Sequence, residues 1–139
     1  MGSCNLTKKS KTKPYIMLKN ILIVGLGGAM GSILRYLATL AGNALHCASW
    51  IATLSVNSIG SFLIGLFMAA CTNGDWKLML TVGLCGGFTT YSTFSAQSLE
   101  MLRSGNYLNA SLYIIGTIAI CLLFVWAGIS IGTKFGNHI

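Results

Sequence analysis

Apolar and polar positions along this 139-residue chain fall into long blocks rather than short alternations. Residues 1–16 are polar and lysine-rich, include Pro14, and read as a disordered basic N-terminal extension. Four apolar runs follow, from about Leu18 to Leu40, Trp50 to Cys71, Leu78 to Leu102 and Tyr107 to Gly132. Each can cross a hydrocarbon layer, which takes about 20 helical residues. The connectors Ala41–Ser49, Thr72–Lys77 and Arg103–Asn106 are short. Neighbouring helices are therefore expected to run antiparallel, with both termini on one side. The predicted fold is an all-α integral membrane unit over residues 17–139, with four transmembrane helices. Small residues recur four apart, at Gly27 and Gly31, Ser61 and Gly65, Gly83 and Gly87, and Gly128 and Gly132. In lipid that spacing lets helix backbones approach closely.

Composition agrees. Hydrophobic residues make up 54% of the chain and charged residues 8%, against about 25% charged in a soluble domain. Two acidic residues (Asp75 and Glu100) and two histidines are the whole supply for general acid–base work. No enzyme is expected. The net charge of +7 suggests nucleic acid, but Lys8, Lys9, Lys11 and Lys13 form a basic tail and the other cations are scattered. A nucleic-acid partner needs its charges on one face or groove. Five cysteines (4, 47, 71, 85 and 121) contain no C-x-x-C pair, so neither zinc nor a disulfide framework is indicated. The start lacks the hydroxyl residue at position six of a myristoylation signal and the apolar core of a signal peptide. Gly25-Leu26-Gly27-Gly28 lies inside a span without the strand that a dinucleotide loop requires.

With the N-terminus inside, the inner face would carry the tail lysines, Lys77 and Lys134, and the outer face Arg35 and Arg103. That bias orients the chain. Met17-Leu18-Lys19-Asn20, however, looks like a natural start. From Met17 the tally is Lys19, Lys77 and Lys134 against Arg35 and Arg103, too even to force one orientation.

Several polar residues lie within the runs. Arg35 is about five residues, or roughly 8 Å of rise, from the end of the first; it either snorkels to the interface or serves a path. Asn57 needs partners across helices or in a wet pathway. The third run places Gly86-Gly87 before Thr89-Thr90-Tyr91-Ser92-Thr93-Phe94-Ser95 at mid-membrane. Paired glycines followed by poor helix formers predict an interruption. Such a break survives only when buried in protein or lining a cavity. The alternative is a continuous helix with a polar seam. Tyr91 and Phe94 share a helix face, and ring edges carry positive charge that suits a small anion. Tyr113 and Thr117 add hydroxyls on one face of the fourth run. No carboxylate sits at mid-membrane, which counts against a proton-coupled relay.

Gly27-Gly28-Ala29-x-Gly31-x-x-x-Arg35-Tyr36, Thr53-Leu54-x-Val56-Asn57 and Gly83-x-Cys85-Gly86-Gly87-x-Thr89-Thr90-Tyr91-Ser92-Thr93-Phe94-Ser95 appear in this order. From Leu18 almost to its end the chain thereby resembles the Fluc (CrcB) fluoride channels. The resemblance implies a dual-topology antiparallel homodimer in the bacterial inner membrane, with two pores exporting fluoride passively. It also implies a structural Na⁺ at the dimer centre, held by the carbonyls of Gly86 and Thr89. Asn57, Tyr91 and Phe94 would line the pore, Thr93, Tyr113 and Thr117 would form a polar track, and Arg35 would stand at a vestibule. Two positions depart from the family pattern: Tyr91 stands where Phe is usual, and Gln97 where Glu is usual. A small dimeric multidrug or cation transporter, or a non-conducting helical subunit, are the competing readings.

Overall fold

The computed structural model describes residues 14–71 and 74–136, and every regular element among them is helical. Helix α1 spans Pro14–Ala44 and α2 spans Ser49–Ala70. The third apolar run is divided. A turn of α3 (Asp75–Leu78) continues into a π-helical segment (Met79–Cys85) and a last turn, α4 (Gly86–Phe88). After a gap, α5 (Tyr91–Arg103) resumes, and Gly105, at φ +77°, makes the turn into α6 (Tyr107–Gly136). Among the described residues three helices, α1, α2 and α6, are long and apolar enough to cross a membrane.

Two expectations need correction. Pro14–Ile16, read as part of the disordered extension, forms the first turn of α1. Proline suits a first helical turn, where its missing N–H has no partner to lose. The rest of that extension, residues 1–13, lies outside the described residues. The paired glycines Gly86 and Gly87 are not the interruption. They are helical, and the chain leaves the helix at Thr89 and Thr90, both extended (φ −73°, ψ 156° and φ −142°, ψ 96°).

Glycine sets the packing. A Cβ on Gly27 would strike the Met79 carbonyl and come within 3.0 Å of Gly83 Cα. One on Gly31 would strike the Leu84 carbonyl, and one on Gly87 the backbone of Gly28. Contact positions rise together along both helical segments, so α1 runs parallel to the π segment and α4. The same holds for α2 against α6, where a Cβ on Gly65 would meet Val125 and Ile129 and one on Gly128 would meet Phe62 and Leu66. Backbones this close gain dispersion contacts that lipid chains cannot supply. Lys19, near the start of α1, pairs with Asp75 of α3 at 2.9 Å, tying two helix starts together at one end of the molecule.

Burial is inverted relative to a water-soluble fold. Val56, Cys85, Phe88, Phe94, Ala110 and Tyr113 form a small interior. Leu22, Leu26, Ile33, Leu37, Leu112, Ile115, Leu122 and Leu123 face outward. An apolar exterior of this extent belongs in lipid or against another protein. The chain is a multi-pass membrane protein.

Candidate functional site

The gap between α4 and α5 is held open by a side chain. Asn57 Oδ1 accepts from the Thr90 backbone N–H at 2.8 Å, and its Nδ2 donates to the Thr90 carbonyl at 3.3 Å. Asn57 and Thr90 are both buried. The amide thus replaces the partner that the Thr90 N–H loses by leaving the helix, and adds a second donor to the Thr90 carbonyl, which also accepts from the Phe94 N–H at 3.5 Å. Thr90 is also the N-cap of α5. Its hydroxyl oxygen accepts from the Thr93 N–H at 3.3 Å, as N-cap threonines do, while its proton goes to the Thr93 hydroxyl at 2.7 Å.

These bonds have a consequence for the carbonyls. The Thr89 N–H still bonds the Cys85 carbonyl at 3.0 Å in ordinary helical fashion. In an unbroken helix the next donors, Thr90 and Thr93, would bond the carbonyls of Gly86 and Thr89. Here they go to Asn57 and to the Thr90 hydroxyl instead. The carbonyls of Gly86 and Thr89 are therefore among those released from helical pairing by the break, together with those of Gly87 and Phe88, whose donors would be Tyr91 and Ser92.

Beside the break lies a cavity of about 340 Å³, lined by Asn57, Gly86, Thr89, Tyr91, Phe94 and Thr117 together with Gly60, Ser61, Cys85 and Cys121. The Thr117 hydroxyl is buried, with no hydrogen-bond partner among the described residues. Phe94 is interior, 5.8 Å from Tyr91, whereas Tyr91 itself is 81% exposed.

Residues 22–129 match the family described as CrcB-like protein, Camphor Resistance (CrcB). The chain belongs to the CrcB family. Three relatives are each named fluoride-specific ion channel FluC. The chain is 45% identical to that of Phocaeicola vulgatus over 118 residues, covering 81% of this chain and 97% of the relative. Identity to that of Geobacter sulfurreducens is 42% over 121 residues (81% and 95% covered). Identity to that of Escherichia coli O139:H28 is 40% over 119 residues (79% and 94% covered). These relatives are channels, not enzymes.

In this CrcB chain the remaining predicted residues lie apart from the break cavity. Arg35 and Thr93 line a second cavity of about 370 Å³ with Tyr36, Thr39, Thr53 and Gln97. Arg35 is half-buried and has no ion-pair partner among the described residues. It stands nine residues before the end of α1, not five, because the helix runs on to Ala44. That is about 14 Å of helix rise from the end. Tyr113 lines a third cavity, of about 440 Å³, with Trp50 and Asn109; Thr117 borders both this one and the break cavity. The Tyr113 hydroxyl donates to Gln97 Oε1 at 2.9 Å. Its ring stands 5.3 Å from Phe94 and 6.0 Å from Trp50. Sequence reasoning missed the part played by Thr90, although a threonine immediately before a helix start is an N-cap signal.

Proposed function

We propose that the chain is the subunit of a fluoride-selective channel, passing fluoride passively out of a bacterial cell across its inner membrane and so relieving fluoride toxicity. The observation that carries this reading is the 40–45% identity to three relatives named fluoride-specific ion channels, matched over at least 94% of their lengths. The cavity at the break supports where the ion would travel. Fluoride is small and strongly hydrated, and a selective path must replace its water shell with fixed groups. Asn57 keeps one N–H beyond the one given to Thr90. Thr117 has an unused hydroxyl. Phe94 and Tyr91 supply ring edges, which are the positive part of an aromatic quadrupole. The first turn of α5 presents its N–H groups at the same place, where the helix dipole favours an anion. None of these groups is a fixed full charge that would trap the ion.

The interrupted segment is read as the third of four spans, and the working unit as an antiparallel homodimer. Tyr91, Ser92, Thr93 and Ser95 are polar and exposed on the single chain beside the break. Polar groups at that depth are costly against lipid, and a second copy would cover them. The released carbonyls of Gly86 and Thr89 fit a hard cation, which takes oxygen ligands. Gly86 adds the advantage of open space on its Cβ side. Carbonyls from two copies would hold one Na⁺ as a fixed staple that is not transported.

Flux from liposomes tests the proposal. Protein reconstituted into fluoride-loaded vesicles is expected to release fluoride rapidly and electrogenically, while chloride-loaded vesicles release nothing. Absence of fluoride release from well-folded protein would sink it.

A further inference from the structure

Along α2, Gly60 follows Asn57 by three residues and so lies on the same face. It is buried, and it lines the break cavity. A Cβ built on Gly60 would overlap the Thr89 Cγ2 methyl, and would stand 3.3 Å from Phe88 Cδ1 and 3.7 Å from Thr89 Cβ. The space a side chain would take on α2 is filled by a methyl from the break. That methyl is not free to turn away. The Thr89 hydroxyl on the same Cβ donates to the Cys85 carbonyl at 3.0 Å, and rotation about χ1 would give up that bond. Gly60 differs here from Gly27, Gly31 and Gly87, whose obstruction is backbone; at Gly60 the overlap is with one side-chain methyl, and the next contact, Phe88 Cδ1, is also side chain.

We infer that Gly60 is a positioning residue: its bare backbone is the notch that seats the Thr89 methyl and fixes the register at which Asn57 reaches Thr90. Asn57 grips the break by hydrogen bonds, and Gly60 locates it by shape. Raising Thr89 off α2 would lengthen both Asn57 bonds and move the Gly86 and Thr89 carbonyls together. The effect on ion flow rests on the channel reading; the seat itself does not.

The test is a size exchange. Gly60→Ala fills the notch. The double variant Gly60→Ala/Thr89→Ser drops the opposing methyl but keeps the hydroxyl that bonds Cys85. Hydrogen exchange of the peptide containing the Thr90 amide is read alongside fluoride efflux per reconstituted dimer. In Gly60→Ala, Thr90 exchange is expected to rise about tenfold and efflux to fall about tenfold or more. The double variant should bring both back toward wild type. Unchanged exchange in Gly60→Ala, or an equal rise in both variants, overturns the seat. Should Gly60→Ala fail to fold, recovery of folding in the double variant supports the seat and its failure overturns it. If the wild type passes no fluoride, the channel reading fails, and the exchange comparison still decides the seat.

Discussion

Asn57 and Thr117 sit on the same cavity and are expected to fail in opposite ways. Removing the Asn57 amide with Asn57→Ala leaves the buried N–H of Thr90 unpaired, at a cost of roughly 1–3 kcal/mol, and leaves the Thr90 carbonyl only its 3.5 Å bond from the Phe94 N–H. Both thermal stability in detergent and fluoride flux should drop. Thr117→Val is nearly isosteric and removes a hydroxyl that bonds nothing among the described residues. Its stability should change by less than about 0.5 kcal/mol or rise slightly, since a buried polar group without a partner is a net cost, while efflux falls at least several-fold. A Thr117→Val protein as active as wild type would remove this hydroxyl from the path. Asn57 was legible as a residue needing partners. That its partner is the Thr90 main chain was not, because a bond across 33 residues depends on how α2 docks.

Among the elements, the glycine faces carry the assembly of the chain. Gly83 and Gly87 admit α1 to backbone contact, so Gly87→Leu should abolish a monodisperse peak on size-exclusion chromatography. Gly25, with nothing within 4 Å of its Cβ position, gives the contrast. Gly25→Ala should be neutral or stabilise by up to about 1 kcal/mol, the helix-propensity difference. Equal damage at both positions would mean that close approach is not what these glycines provide. The four-residue spacing made this packing visible in the sequence, since it places small residues on one helix face. The same reasoning misplaced the interruption by taking the glycines as breakers. Packed against α1, their helical backbone is supported, and the break passes to Thr89–Thr90, where Asn57 and the Thr90 cap offer the replacement bonds.

For the whole molecule, the predictions concern assembly. If the proposed Na⁺ site exists, replacing Na⁺ with a bulky organic cation should lower the melting temperature of the solubilised protein by several degrees, as loss of any ligand bound only by the folded state does. A melt indifferent to Na⁺ would remove the ion from the proposal. From Met17 onward the chain should insert in both orientations in comparable amounts, because Lys19, Lys77 and Lys134 barely outweigh Arg35 and Arg103. Lys19 is moreover paired with Asp75. Reporters fused at the C-terminus would detect both populations, and a single orientation would count against the proposed antiparallel pairing.

Length, apolarity and the order of three motifs were sufficient to place this chain in a membrane, in helices and in its family, because those properties depend on local composition and on spacing along one helix. Which carbonyls are released, which hydroxyl lacks a partner and how Thr93 and Tyr113 divide between separate cavities are decided by contacts between helices. A hydrogen bond or an overlap of methyl and backbone exists only at one docking register, and tertiary packing alone selects it.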